Sequence, residues 1–95
     1  MSAYLVFTRE KTLDAAELAI YQREVGPTHD TVDFKMLVAF GRQDVLEGEP
    51  IEGVAIVEFP TMEAAKGWYE SPAYRQAREH RFKGAETRCV LVQGV

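Results

Sequence analysis

The sequence predicts an α+β fold of ferredoxin-like βαββαβ order, with a four-stranded antiparallel sheet and the helices on one face. Three observations carry this. Runs rich in β-branched and aromatic residues recur at the start, middle and end of the chain. Two stretches with helix-start chemistry separate them. The two inner strands follow one another through a polar connection only, as a central hairpin does. Two crossovers around such a hairpin leave the second face of the sheet without helices.

Ala3-Tyr4-Leu5-Val6-Phe7-Thr8 is the first expected strand. Asp14 then offers an N-cap, with Glu17 three residues later to complete a capping box and Leu13 and Leu18 at the hydrophobic-staple positions. Leu18, Tyr21 and Val25 repeat at helical spacing, and Gly26-Pro27 ends the helix. The second strand is expected from Phe34 to Phe40, and Gly41 and Gly48 bracket the connection to the third, Gly53 to Phe59. Pro60 cannot continue a ladder. Thr61 caps a helix bearing Ala65, Trp68 and Tyr69 on its apolar face, and Ser71-Pro72 restarts it with a cap and a proline at the first helical position. Tyr74, Ala77, Arg78 and Arg81 share one side of that continuation, and Arg88 to Val92 is the last strand. The glycines at 41, 48, 53, 84 and 94 read as turns.

Composition bounds the function. The 95 residues fit one domain spanning 1–95, and a chain this short has a marginal core that self-association would help. A net charge of −4 with no basic cluster argues against nucleic acid as a partner. No apolar run approaches the roughly 20 residues that span a bilayer, and the N-terminus does not read as a signal peptide, so no membrane association and a cytoplasmic setting are expected. The single Cys89 is expected to be a small buried apolar residue.

The third strand is the most informative. In Glu52-Gly53-Val54-Ala55-Ile56-Val57-Glu58-Phe59, alternation turns Ala55, Val57 and Phe59 toward the helices and Val54, Ile56 and Glu58 away. The skeleton matches the main strand of RNA-recognition domains, but aliphatic side chains occupy the base-stacking positions and Glu52 the basic one. That chemistry excludes the RNA reading. With Tyr4 and Val6 on the first strand, the outward face is apolar enough to call for a cover. The expected cover is a second copy, packed sheet against sheet.

Glu47-Gly48, Val57-Glu58-Phe59-Pro60-Thr61, Ala65, Trp68-Tyr69-Glu70-Ser71-Pro72-Ala73-Tyr74, Arg81 and Val90-Leu91-Val92-Gln93-Gly94 together resemble the family called domain of unknown function 1330. The resemblance spans nearly the whole chain and is most specific from Glu58 through Tyr74. It implies a dimeric α/β-barrel of ferredoxin-like fold, in a superfamily that also holds cofactor-free monooxygenases, muconolactone-isomerase-like enzymes and haem-degrading proteins. Where members often carry Gly-Gly entering strand two, this chain has Val32-Asp33.

The candidate site residues follow from side-chain chemistry. Glu58, in a partly apolar interior, would serve as acid or base, or else pair with Arg81 or Arg88. Arg81 suits a substrate carboxylate through its planar fork of donors, or ties helix to sheet. His29, past the first helix, has a ring suited to proton transfer, or is a solvated loop residue. Tyr21, Tyr69 and Tyr74 offer phenols to a pocket or cap the core with a hydrogen-bonded tip. Trp68 is assigned to core or dimer packing, and His80 to the helix surface. The two histidines and Cys89 lack ligand-like spacing, nucleophile and phosphate-loop motifs are absent, and no metal or cofactor is expected. Two functions fit: a homodimeric small-molecule protein with cofactor-independent isomerase, lyase or oxygenase chemistry on a carboxylated or aromatic metabolite, or a non-catalytic dimer module.

Overall fold

A computed structural model of the chain describes residues 1–30 and 32–95. Its elements are β1 (Ala3–Thr12), α1 (Ala15–Val25), β2 (Lys35–Ala39), β3 (Gly53–Phe59), α2 (Met62–Tyr69), α3 (Pro72–Gly84) and β4 (Ala85–Gln93), with a 3-10 turn at Gly26–His29. The strands lie in the order β2-β3-β1-β4 and every neighbouring pair is antiparallel. This is the predicted ferredoxin-like α+β fold.

Local chemistry explains most of the boundaries. The Asp14 carboxylate accepts the backbone N–H groups of Ala16 and Glu17 and so starts α1. Thr61 and Ser71 cap α2 and α3 in the same manner, and Pro72 opens α3. The reciprocal half of the predicted capping box is not made. The Asp14 N–H donates instead to the carbonyl of Gly84, and the Glu17 carboxylate lies 2.6 Å from Nδ1 of His80. Leu13 remains 53% exposed, while Leu18 turns onto Gly84.

β1 and β4 run further than predicted, because pairing continues from Arg9 against Thr87 and, past a register shift, from Lys11 and Thr12 against Glu86 and Ala85, after the apolar alternation has stopped. A ladder needs only backbone groups, so its polar end leaves no trace in hydrophobic pattern. β2 is shorter than predicted. Its register shifts between Met36 and Val38, and Phe40 leaves the strand with a φ of 55°. Gly53 and Gly84 are not turn residues: one opens β3 and the other ends α3, both buried.

The two sheet faces differ as alternation requires. Leu5, Phe7, Ala55, Val57 and Phe59 point inward and pack with Ala65, Trp68, Tyr74 and Ala77 of α2 and α3. Tyr4, Val6, Val54, Ile56 and Glu58 point outward and are half-buried, and Val90 and Val92 on β4 are each 47% exposed. Register places Val6 between Ile56 and Val90, and Tyr4 between Glu58 and Val92. Apolar groups therefore run across neighbouring strands of the uncovered face.

Candidate functional site

The inward face is incompletely filled. α1 lies over the sheet with Leu18, Tyr21 and Val25 downward, and between them and Phe7, Ala55 and Val57 is a cavity of about 140 Å³. Its remaining walls come from Met36, Ala39 and Phe40 at the β2 edge, His29 after α1, Trp68 of α2 and Arg81 of α3. Drug-sized ligands occupy roughly 300–1,000 Å³. This space suits a smaller molecule.

Arg81 is the unusual group. Helical spacing from Tyr74 and Ala77 turns it inward, where it is only 5% exposed. Its guanidinium carbon lies 5.2 Å from the Phe7 ring centre, 5.1 Å from that of Phe82 and 6.0 Å from that of Tyr21. Nε and Nη2 are buried without a hydrogen-bond partner, and among the described residues no carboxylate forms an ion pair with it. Burial works against its charge, but the neighbouring phenols of Tyr74 and Tyr21 more than offset this and hold its pKa above the ordinary arginine value.

Tyr21 and Tyr74 form a pair beside it, their hydroxyls 2.9 Å apart and their rings edge to face. Tyr74 is fully buried. Burial raises the pKa of both phenols, that of Tyr21 strongly, so both remain protonated over the physiological range. Tyr21 lines the cavity, whereas Tyr69 does not: its ring packs against Tyr74 and beneath the Arg78 guanidinium, 4.5 Å away.

His29 reaches the cavity from the 3-10 turn, stacked on Phe34 at 3.9 Å and near Trp68 at 5.3 Å between ring centres. Its Nε2 is buried and has no hydrogen-bond partner among the described residues. Burial lowers its pKa below 6.5, against a smaller opposing pull from Asp30, and the neutral ring prevails at neutral pH. Trp68 is core, as expected, and also a cavity wall, its indole N–H held by the Thr28 hydroxyl at 3.1 Å. No sequence signal marked that second role, because the register of α2 over the cavity is a tertiary fact.

Glu58 is placed elsewhere. It stands on the outer face of the sheet, where its carboxylate accepts a 3.3 Å hydrogen bond from the Tyr4 hydroxyl, and it pairs with neither Arg81 nor Arg88. Glu58 faces away from the helices as the strand alternation requires, and the sheet separates it from Arg81 and His29, which line one cavity. Cys89 is half-buried rather than enclosed, and burial raises its thiol pKa. Among the described residues no three His, Cys, Asp or Glu side chains cluster as a metal site would require, and no helix is long and apolar enough to cross a membrane.

A family model described as domain of unknown function (DUF1330) matches residues 2–95. No curated protein matches the chain. Among solved structures, a protein of unknown function from Rhodopseudomonas palustris is 22% identical with a TM-score of 0.78, over 99% of this chain and 82% of that one. A protein from Bacteroides fragilis described as dimeric, ferredoxin-like and of unknown function is 17% identical with a TM-score of 0.64, over 98% and 96%. SnoaB, a cofactor-independent oxygenase from Streptomyces nogalater, is 9% identical with a TM-score of 0.62, over 99% and 93%. At these identities the likeness is one of fold.

Proposed function

Since this chain belongs to the DUF1330 family, we propose that it is a single-domain homodimeric small-molecule protein whose cavity takes a small carboxylated or aromatic metabolite, with Arg81 as the anion anchor. The observation that carries the reading is the buried guanidinium of Arg81 on the cavity wall, two of its nitrogens without a hydrogen-bond partner among the described residues. The cation is held by phenols and ring faces that carry no formal charge, so an anionic ligand would add charge-assisted hydrogen bonds to the unpartnered nitrogens.

The same walls suit proton transfer. His29 is a neutral base with an unsatisfied Nε2, and Tyr21 is a protonated phenol on the same cavity. In an isomerisation, Nε2 would take a proton from a carbon next to the substrate's carbonyl. In a β,γ-unsaturated substrate the C–H pair would form the α,β double bond while the carbonyl π pair moves onto oxygen, giving a dienolate stabilised by Arg81, and the proton would return from His29 to the γ carbon as the original double bond shifts into conjugation. The cofactor-independent oxygenase of similar fold supports chemistry in which the substrate supplies its own reactivity. Glu58, on the outer face, would serve the subunit interface instead. Solved structures of similar fold that are dimeric support a dimer of this chain as well.

The test is ligand-dependent stability. Acetate, pyruvate and benzoate should raise the melting temperature of the native protein in a concentration-dependent way, because a ligand of the folded state stabilises it. Arg81→Met should abolish the increase, read on a variant that still melts cooperatively without ligand. A melting temperature that still rises with carboxylates in Arg81→Met would remove Arg81 as the anchor.

A further inference from the structure

Phe40 is the strained residue among the walls of the cavity. Its φ of 55° lies in the left-handed region, which a bulky side chain rarely adopts and which costs energy to hold. It is nevertheless well anchored: its N–H donates to the carbonyl of Val54 at 2.9 Å, keeping the last ladder bond of the hairpin. The reversed backbone throws the ring back over β3, onto the spot a side chain at Gly53 would fill. A Cβ at Gly53 would stand 2.6 Å from Cδ1 of Phe40. Gly53 opens the inward-facing series of β3, and its cross-strand partner is Arg9, whose guanidinium carbon lies 4.6 Å from the Phe40 ring centre. Arg9 is held in turn by Glu52, with Nε to Oε1 at 3.2 Å, and the Glu52 carboxylate accepts both the N–H and the hydroxyl of Thr12. Those hydrogen bonds hold the Glu52 carboxyl below the usual carboxylate range.

A strained backbone, a glycine that leaves room for one ring, and a cation stacked upon it all fix the same phenyl group. Packing of the core does not explain the effort, since Phe40 is 41% exposed and contributes a wall of the cavity. Strain of this kind persists where surrounding contacts over-determine it, and it gathers at ligand sites.

We infer that Phe40, seated on Gly53 and held by Arg9, is the specificity-determining wall of the cavity and selects a ligand with a planar aromatic body behind its carboxylate. The inference rests on the reading of the cavity as an anion site and narrows it. An aryl acid with its carboxylate on Arg81 would extend toward the β2 edge between the aromatic walls of Tyr21 and Phe40. A saturated ring of the same size would lose the ring–ring contact, and acetate is too short to reach it.

Calorimetric titration of the native protein with benzoate, cyclohexanecarboxylate and acetate tests this. Native protein should prefer benzoate to cyclohexanecarboxylate by about two- to tenfold, the span of one aromatic pair. Phe40→Ala should lose that preference, the ratio of the two affinities falling to about one. Gly53→Ala, whose methyl group must displace the ring, should lose it too, and Phe40→Trp should retain it. Benzoate preference undiminished in a folded Phe40→Ala overturns the aromatic wall and leaves the anion site standing. If none of the three acids binds the native protein, the anion site fails and the wall inference falls with it. The acetate titration tells the two failures apart.

Discussion

At the scale of single residues, what a side chain does here depends on which surface it meets. Arg81 and Glu58 are both charged groups next to apolar neighbours, and their chemistry alone invites an ion pair. Glu58 is flanked in β3 by Val57 and Phe59, which point into the core, so it must point out. His29 has a consequence for pH. Its folded-state pKa is depressed below 6.5 by burial, so below that value the unfolded chain binds more protons than the folded one. Its share of stability is full above about pH 6.5 and is lost as the pH falls toward the lower folded value. Urea denaturation midpoints measured between about pH 5 and 7.5 should therefore fall on acidification, and His29→Asn should flatten that limb. Parallel profiles for the two proteins would show that His29 is not the group responsible. The neutral histidine of the proposed mechanism and the acid-labile one are the same group.

Among elements, the closest approach is between α1 and α3. Gly84 ends α3 where a Cβ would meet the Leu18 side chain at 2.8 Å and its backbone nitrogen at 3.0 Å. The Gly84 carbonyl also accepts the N–H groups of Leu13 and Asp14. A backbone atom cannot step aside as a rotamer can, so Gly84→Ala should cost about 1–3 kcal/mol in denaturant unfolding, the range for overpacking. An unchanged midpoint would mean that the two helices separate freely. The same helix pair is joined by His80, whose Nδ1 and Nε2 lie 2.6 and 3.5 Å from carboxylate oxygens of Glu17 and Glu24. Helical periodicity put His80 on the exposed side of α3, and it is the packing of α1 beside it that turns a surface histidine into a tie. Gly84 was hidden for a similar reason: glycine marks turns and close contacts alike, and only the neighbouring helix distinguishes them.

For the whole molecule, the sheet face opposite the helices is the proposed surface of assembly. Val6, Ile56, Val90 and Val92 lie on adjacent strands in register and leave an apolar band open to water. Contiguous patches of this sort mark interfaces. Pairing through this face predicts a dimer at micromolar concentration in sedimentation equilibrium, and Ile56→Lys, which places a charge in the middle of the band, should shift the protein to monomer. A native protein that sediments as a monomer would leave the band without its proposed partner. The inner-face cavity sits on the other side of the sheet, so Ile56→Lys should leave carboxylate binding measurable in the monomer. This separates assembly from ligand binding.

The sequence by itself determined the order of elements, their caps and the faces of β1 and β3, because those follow from short-range periodicity and from hydrogen-bonding side chains next to the backbone they cap. It also carried the family through the run from Glu58 to Tyr74. Only the tertiary structure decided which polar residues share a space. Arg81, Tyr21 and His29 meet because α1 and α3 cross over the sheet at one height, and Phe40 joins them because a left-handed residue folds its ring back over Gly53. Contacts between residues so far apart along the chain leave no local pattern to read, since they are set by how whole elements pack.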